Sequence, residues 1–143
     1  MLFRSIEDSR RDGNIIAGGN KPDGAGYFIR PTIVRDITDG SRLVDEEQFG
    51  PVLPVIRYTD AADAVARANN SEYGLGGSIW SPDVEAAYAL ATRMESGTVW
   101  VNKHADLAPN IPFGGAKGSG IGTELGDEGL AEFTQLQVIN VAR

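Results

Sequence analysis

The chain has 143 residues, 41 % of them hydrophobic, with a formal net charge of −7 and no cysteine. That is one domain's worth of material, enough to bury roughly 68–70 % of its unfolded surface, and it is too apolar for a disordered chain. The acidic balance leaves no basic footprint for nucleic acid or an anionic membrane, and the absence of cysteine excludes disulfides, thiolate metal sites and a cysteine nucleophile on these residues.

The longest apolar runs reach about six residues, far short of the ~20 that span a bilayer. The opening MLFRSIEDSRR lacks the apolar core and cleavage site of a secretory signal, so a cytosolic (cytoplasmic) address is expected. Ile6 to Asp12 suits a helix stopped by Gly13-Asn14, and Asn14 to Ala17 a short strand closed by Gly18-Gly19. KPDGAGY (21–27) is turn chemistry. Phe28 to Ile37 is β-rich, with Pro31 placing it at an edge or a bend.

Val52 to Tyr58 is a near-continuous apolar run, expected to be buried on both faces. Asp60 can cap a helix from Ala61 to Asn69, and Leu75 to Trp80 reads as a strand. Ser81-Pro82 looks like an N-cap followed by proline at the first helical position, with Asp83 and Glu85 in the first turn. Val84, Ala87, Tyr88, Ala91 and Met94 then mark one face of an amphipathic helix ended by Gly97. Thr98 to Asn102 is a further strand. This strand–helix alternation implies an α/β fold with an open, mostly parallel sheet and flanking helices. A long loop, Lys103 to Gly122, precedes a helix from about Glu124 to Thr134, and Leu136 to Ala142 closes the chain as a strand.

Three local features invite a site. PFGGAKGSGIG (112–122) contains a G-x-G pattern, but a loop rather than a strand precedes it, so a bent loop with close backbone approach is favoured over a phosphate cradle. His104 is the only histidine, and with Asp106 the sole nearby acid no metal site is assembled. Trp80 and Trp100 read as core. Asp45, Glu46 and Glu47 crowd against Phe49-Gly50-Pro51 and the apolar run. Three neighbours in an extended segment cannot all face one ion, and on local physics a solvated corner is favoured over a ligand contact.

Read together, EEQFGPV (46–52), GTVWVN (97–102) and PFGGAKGSGIGTELGDEGL (112–130) resemble, in order and spacing, the aldehyde dehydrogenase superfamily. RANNSEYGL (67–75) and GYFIRPTIV (26–34) are similar to it too, so the likeness runs from about Ile6 to the C-terminus. The resemblance implies that residues 1–135 are the C-terminal part of the catalytic domain and 136–143 a strand of the oligomerisation sheet. It also implies that Glu47 hydrogen-bonds the nicotinamide-side ribose of NAD or NADP and that Phe49 packs beside it. Phe113 would line the aldehyde tunnel. Lys103 to Ile111 corresponds to the substrate-selecting loop, where His104 and Leu107 are the candidate contacts.

In the superfamily a Cys thiolate attacks the aldehyde, hydride leaves to NAD(P)+ and a Glu-activated water hydrolyses the thioester. That Cys, that Glu and the Rossmann domain belong to the family's upstream part, so no catalytic residue is expected here and the chain alone is expected to be inactive. The implied partners are further copies of the chain, the N-terminal portion of the enzyme as a separate chain, and an aldehyde in the complete enzyme; nucleic acid, membrane and metal are not expected. A non-catalytic assembly module or a gene remnant is the second reading.

Overall fold

The computed structural model describes residues 2–142. The chain divides after Thr59 into two compact units.

The first unit contains α1 (Leu2–Asp12), β1 (Asn14–Ala17), β2 (Thr32–Arg35), α2 (Arg42–Asp45) and β3 (Val52–Val55). Its sheet has the order β1-β2-β3, antiparallel between β1 and β2 and parallel between β2 and β3, with Thr32 opposite Val52. Ile6, Val34, Ile37, Leu43 and Val52 form its core. Ser5 and Ser9 are buried on α1, and the Ser9 hydroxyl is satisfied by donating to the Ser5 carbonyl at 2.6 Å. Buried Thr32 is likewise satisfied, donating to the Arg30 carbonyl and accepting from the Gly19 amide, both at 2.9 Å.

Two expectations change in this unit. The β-rich stretch from Phe28 to Ile37 contracts to β2, starting immediately after Pro31, and Tyr27 and Phe28 lie exposed. The run from Val52 is not buried on both faces. Val52 is buried, but Leu53 and Val55 are 59 % and 43 % exposed, because β3 is an edge strand with one face toward the core.

The second unit opens with α3 (Ala61–Asn69), whose cap is as expected: the Asp60 carboxylate accepts from the Ala62 amide at 2.8 Å. A β–α–β unit follows, β4 (Gly76–Ile79), α4 (Val84–Ala91) and β5 (Thr98–Val101), with the strands parallel from Gly76 opposite Thr98 to Ile79 opposite Val101. The cap of α4 is Asp83, which accepts from the Ala86 amide at 2.9 Å, and not Ser81. Ser81 instead forms a turn, its hydroxyl accepting from the Asp83 amide at 3.1 Å. On the expected face of α4, Ala87 is buried, while Val84 and Tyr88 are 55 % and 64 % exposed.

The loop after β5 contains a hairpin, with β6 (Phe113–Gly114) antiparallel to β7 (Thr123–Glu124) around a single 3-10 turn at Lys117–Ser119. The last helix, α5 (Gly126–Ala131), is shorter than expected and does not include Glu124. Leu125 and Gly126 take left-handed φ values of 63° and 62°, which break the chain between strand and helix. The α/β class and parallel pairings stand, but the strands are distributed over three small sheets. Leu136 to Ala142 forms no strand pairing among the described residues, and Arg143, the end of the expected oligomerisation strand, lies outside them.

Candidate functional site

Candidate residues fall into one group in each unit. In the first, α2 and the turn after it separate the three neighbouring acids by task. The Asp45 carboxylate accepts from the Gly40 amide at 3.0 Å, tying the helix end to the preceding turn. Glu46 accepts from the Arg42 guanidinium at 2.6 Å, and Asp8 lies 3.6 Å from the same group. The Glu46 hydrogen bond and charge raise the Arg42 pKa above its ordinary value, with Asp8 adding to the effect. Glu47 is exposed and makes no hydrogen bond or ion pair among the described residues.

Two residues on, Phe49 has a left-handed φ of 43° and is 90 % exposed, an unusual posture for a bulky side chain. The turn is held from the other side, where the Gln48 amide donates to the Val52 carbonyl. Glu47 and Phe49 are therefore presented by a braced turn. The solvated-corner expectation fits all three acids, which are exposed; Asp45 and Glu46 also have structural partners, whereas Glu47 has none among the described residues.

In the second unit the centre is Trp100 on β5, which is 7 % exposed. Its indole N–H donates to the Asp106 carbonyl at 3.0 Å. The His104 ring meets it edge-on, with centroids 5.5 Å apart and planes at 70°, and Phe113 lies at 6.4 Å tilted by 33°. The loop reaches this posture through two left-handed residues, Asn102 (φ 54°) and Ala105 (φ 53°). A Lys103–Asp106 ion pair at 2.8 Å closes it. Asn102 also pins the strand end, its side-chain amide accepting from the Ser81 N–H and donating to the Ser81 carbonyl, both at 2.8 Å. The structure thus brings His104 and Phe113 together on Trp100. Leu107, one residue past Asp106, is 49 % exposed.

The glycine-rich hairpin serves close packing. A Cβ on Gly97 would stand 1.7 Å from the Gly114 carbonyl oxygen, so the turn before β5 and the hairpin touch main chain to main chain. Three of its amides are engaged within the chain: Ala116 donates to the Gly74 carbonyl, Gly118 to the Glu72 carbonyl and Ser119 to the Ala116 carbonyl. A phosphate cradle needs such amides free. Among the described residues no His, Cys, Asp and Glu side chains gather into a metal-holding group, and no helix is long and apolar enough to cross a membrane.

Two residues escaped the sequence reading. Trp100 is core, as expected, yet it also anchors both aromatic candidates; its place four residues before His104 was the available signal. Lys117 is the one charged residue within 112–122, and that isolation was its signal.

Residues 3–139 match the sequence model of the aldehyde dehydrogenase family. The chain is 43 % identical over 139 residues to a succinate-semialdehyde dehydrogenase [NADP(+)] of Deinococcus radiodurans, covering 96 % of this chain and 29 % of that protein. Against retinaldehyde dehydrogenase 3 of Rattus norvegicus the identity is 39 %, over 98 % of this chain and 28 % of the relative. Among solved structures, that of Mycobacterium tuberculosis aldehyde dehydrogenase complexed with NAD+ superposes with a TM-score of 0.88 at 40 % identity, over 94 % of this chain and 28 % of the other. The chain therefore spans under a third of the length of these relatives.

Proposed function

Because this chain belongs to the aldehyde dehydrogenase family, we propose that it forms the C-terminal part of an NAD(P)-dependent enzyme that oxidises an aldehyde to a carboxylic acid. The observation that carries this reading is the division of labour at the acidic turn, where Asp45 and Glu46 are occupied and Glu47 alone is unpartnered among the described residues. A free carboxylate fits two vicinal ribose hydroxyls, from which it accepts both hydrogen bonds, and the exposed Phe49 ring beside it fits an apolar flank. NAD(P)+, when bound, supplies the acceptor for the hydride that the aldehyde carbon loses. Glu47 then orients the nicotinamide half. Phe113 and His104, braced on Trp100, form an aromatic wall that holds the aldehyde.

Oxidation by this route needs a nucleophile, and the 143 residues contain no cysteine. We therefore expect no turnover from the chain alone and recovery when it is combined with the preceding portion of the enzyme. The purified chain, incubated with NAD+ or NADP+ and a panel of aliphatic and aromatic aldehydes, should give no reduced-cofactor absorbance above blank. Turnover that survives rigorous purification overturns that expectation.

A second reading, a non-catalytic assembly module, draws on the tail, where Leu136, Val138, Ile139 and Val141 are all at least 77 % exposed. Such a row invites another copy of the chain. A gene encoding the preceding portion beside this one would favour the enzymatic reading over this one.

A further inference from the structure

The hairpin that carries Phe113 is fastened at its far end by one charged side chain. The Lys117 ammonium donates to the Asn69 carbonyl at 2.5 Å and pairs with the Glu95 carboxylate at 2.8 Å. Asn69 is the last residue of α3, so the ammonium also meets the negative end of that helix. The Asn69 side chain extends the joint, donating to the Arg93 carbonyl at 2.8 Å and accepting from the Glu95 amide at 2.9 Å. Lys117 itself has a left-handed φ of 54°, a strained posture for a lysine that its two partners hold in place. Around it, the Ala116 and Gly118 amides reach the Gly74 and Glu72 carbonyls, and the Ser119 hydroxyl accepts from the Gly74 amide at 2.8 Å. The end of α3, the turn after α4 and the hairpin therefore meet at one ammonium group.

We propose that Lys117 is a positioning residue for the aldehyde-facing wall: by joining Asn69 to Glu95 it fixes the hairpin so that Phe113 stands against Trp100. Its link to the aldehyde rests on the role given to Phe113 above; its hold on the hairpin does not.

Amide hydrogen exchange on the 143-residue chain tests that hold directly. In Lys117→Met the Ala116 and Gly118 amides should exchange roughly tenfold faster, the effect of losing a charge-assisted hydrogen bond on a local opening equilibrium. The Asn102 amide, bonded to the Ile79 carbonyl, and the Ala87 amide, bonded to the Asp83 carbonyl, should not change. Lys117→Arg should restore most of the protection. Glu95→Gln, a milder change at an exposed partner, should accelerate the same two amides less. In a Trp80→Phe background, Trp100 emission should shift to the red in Lys117→Met.

Unchanged rates at Ala116 and Gly118 would overturn the proposal. Equal acceleration at Asn102 and Ala87 would overturn it too, by showing a general loosening. In the complete enzyme, Lys117→Met should raise KM for the aldehyde and leave KM for NAD(P)+ in place. A hairpin that opens without moving the aldehyde KM would refute the role of Phe113 and with it the positioning assignment.

Discussion

Gly97 and Gly114 meet so closely that a single added methyl group on Gly97 would overlap the Gly114 carbonyl oxygen, at 1.7 Å. No rotamer relieves this clash, because the obstructing atom is main chain. Gly97→Ala should therefore cost about 3 kcal/mol, the upper range for overpacking, as the hairpin is pushed off the turn before β5. Urea unfolding followed by circular dichroism measures it. Gly122→Ala is the control, since a Cβ there meets nothing within 4 Å, and it should change stability by less than about 0.5 kcal/mol.

The acidic turn predicts a separation of stability from activity. Asp45→Asn should lower stability by about 0.5–1 kcal/mol through its bond to the Gly40 amide, while Glu47→Gln should leave stability within about 0.5 kcal/mol of the parent. In the complete enzyme, Glu47→Gln should slow hydride transfer or loosen the nicotinamide half by ~1–3 kcal/mol. Kinetics unchanged in that variant would remove Glu47 from the cofactor site.

The start of α4 offers a sharper comparison. Asp83→Ala should cost about 1 kcal/mol, the usual loss of an N-cap, as read by the midpoint of urea unfolding. Ser81→Ala should cost less, because the bonds from Asn102 reach the Ser81 main chain and survive the substitution.

That pair of serine and aspartate also marks where local sequence signals ran out. Ser-Pro followed by acids looks like a cap with proline at the first helical position, yet Asp83 competes for the same role and accepts from the amide three residues on. Before Ala61–Asn69 the expected Asp60 cap and the expected helix bounds both stand. The short α2 (Arg42–Asp45) was invisible because it is a single turn held by Leu43 burial and by bonds to Ser41, with too little length for a period. Glu124 belongs to β7 and not to the last helix. The left-handed Leu125 that separates it from α5 has no sequence signature, since a leucine rarely takes that conformation. At the site, the resemblance singled out Glu47, whereas only the hydrogen bonds show that its two acidic neighbours are already occupied.

The tail predicts association. Leu136 is 96 % exposed, Val138 and Ile139 80 %, and Val141 77 %, and an unpaired apolar segment tends to recruit a second edge. The full chain should elute as a self-associated species, most simply a two-fold dimer, by light scattering behind size exclusion. A chain ending at Gln135 should be monomeric. A dimer indifferent to that deletion would place the contact elsewhere.

The open space at Gly122 gives the hairpin a place to be labelled. The chain contains no cysteine, so Gly122→Cys would carry its only thiol, one residue before β7 and with no neighbour to disturb. A single fluorophore or spin label attached there would sit on the hairpin, two residues before Glu124, the ladder partner of Phe113, and report hairpin movement without any background reaction.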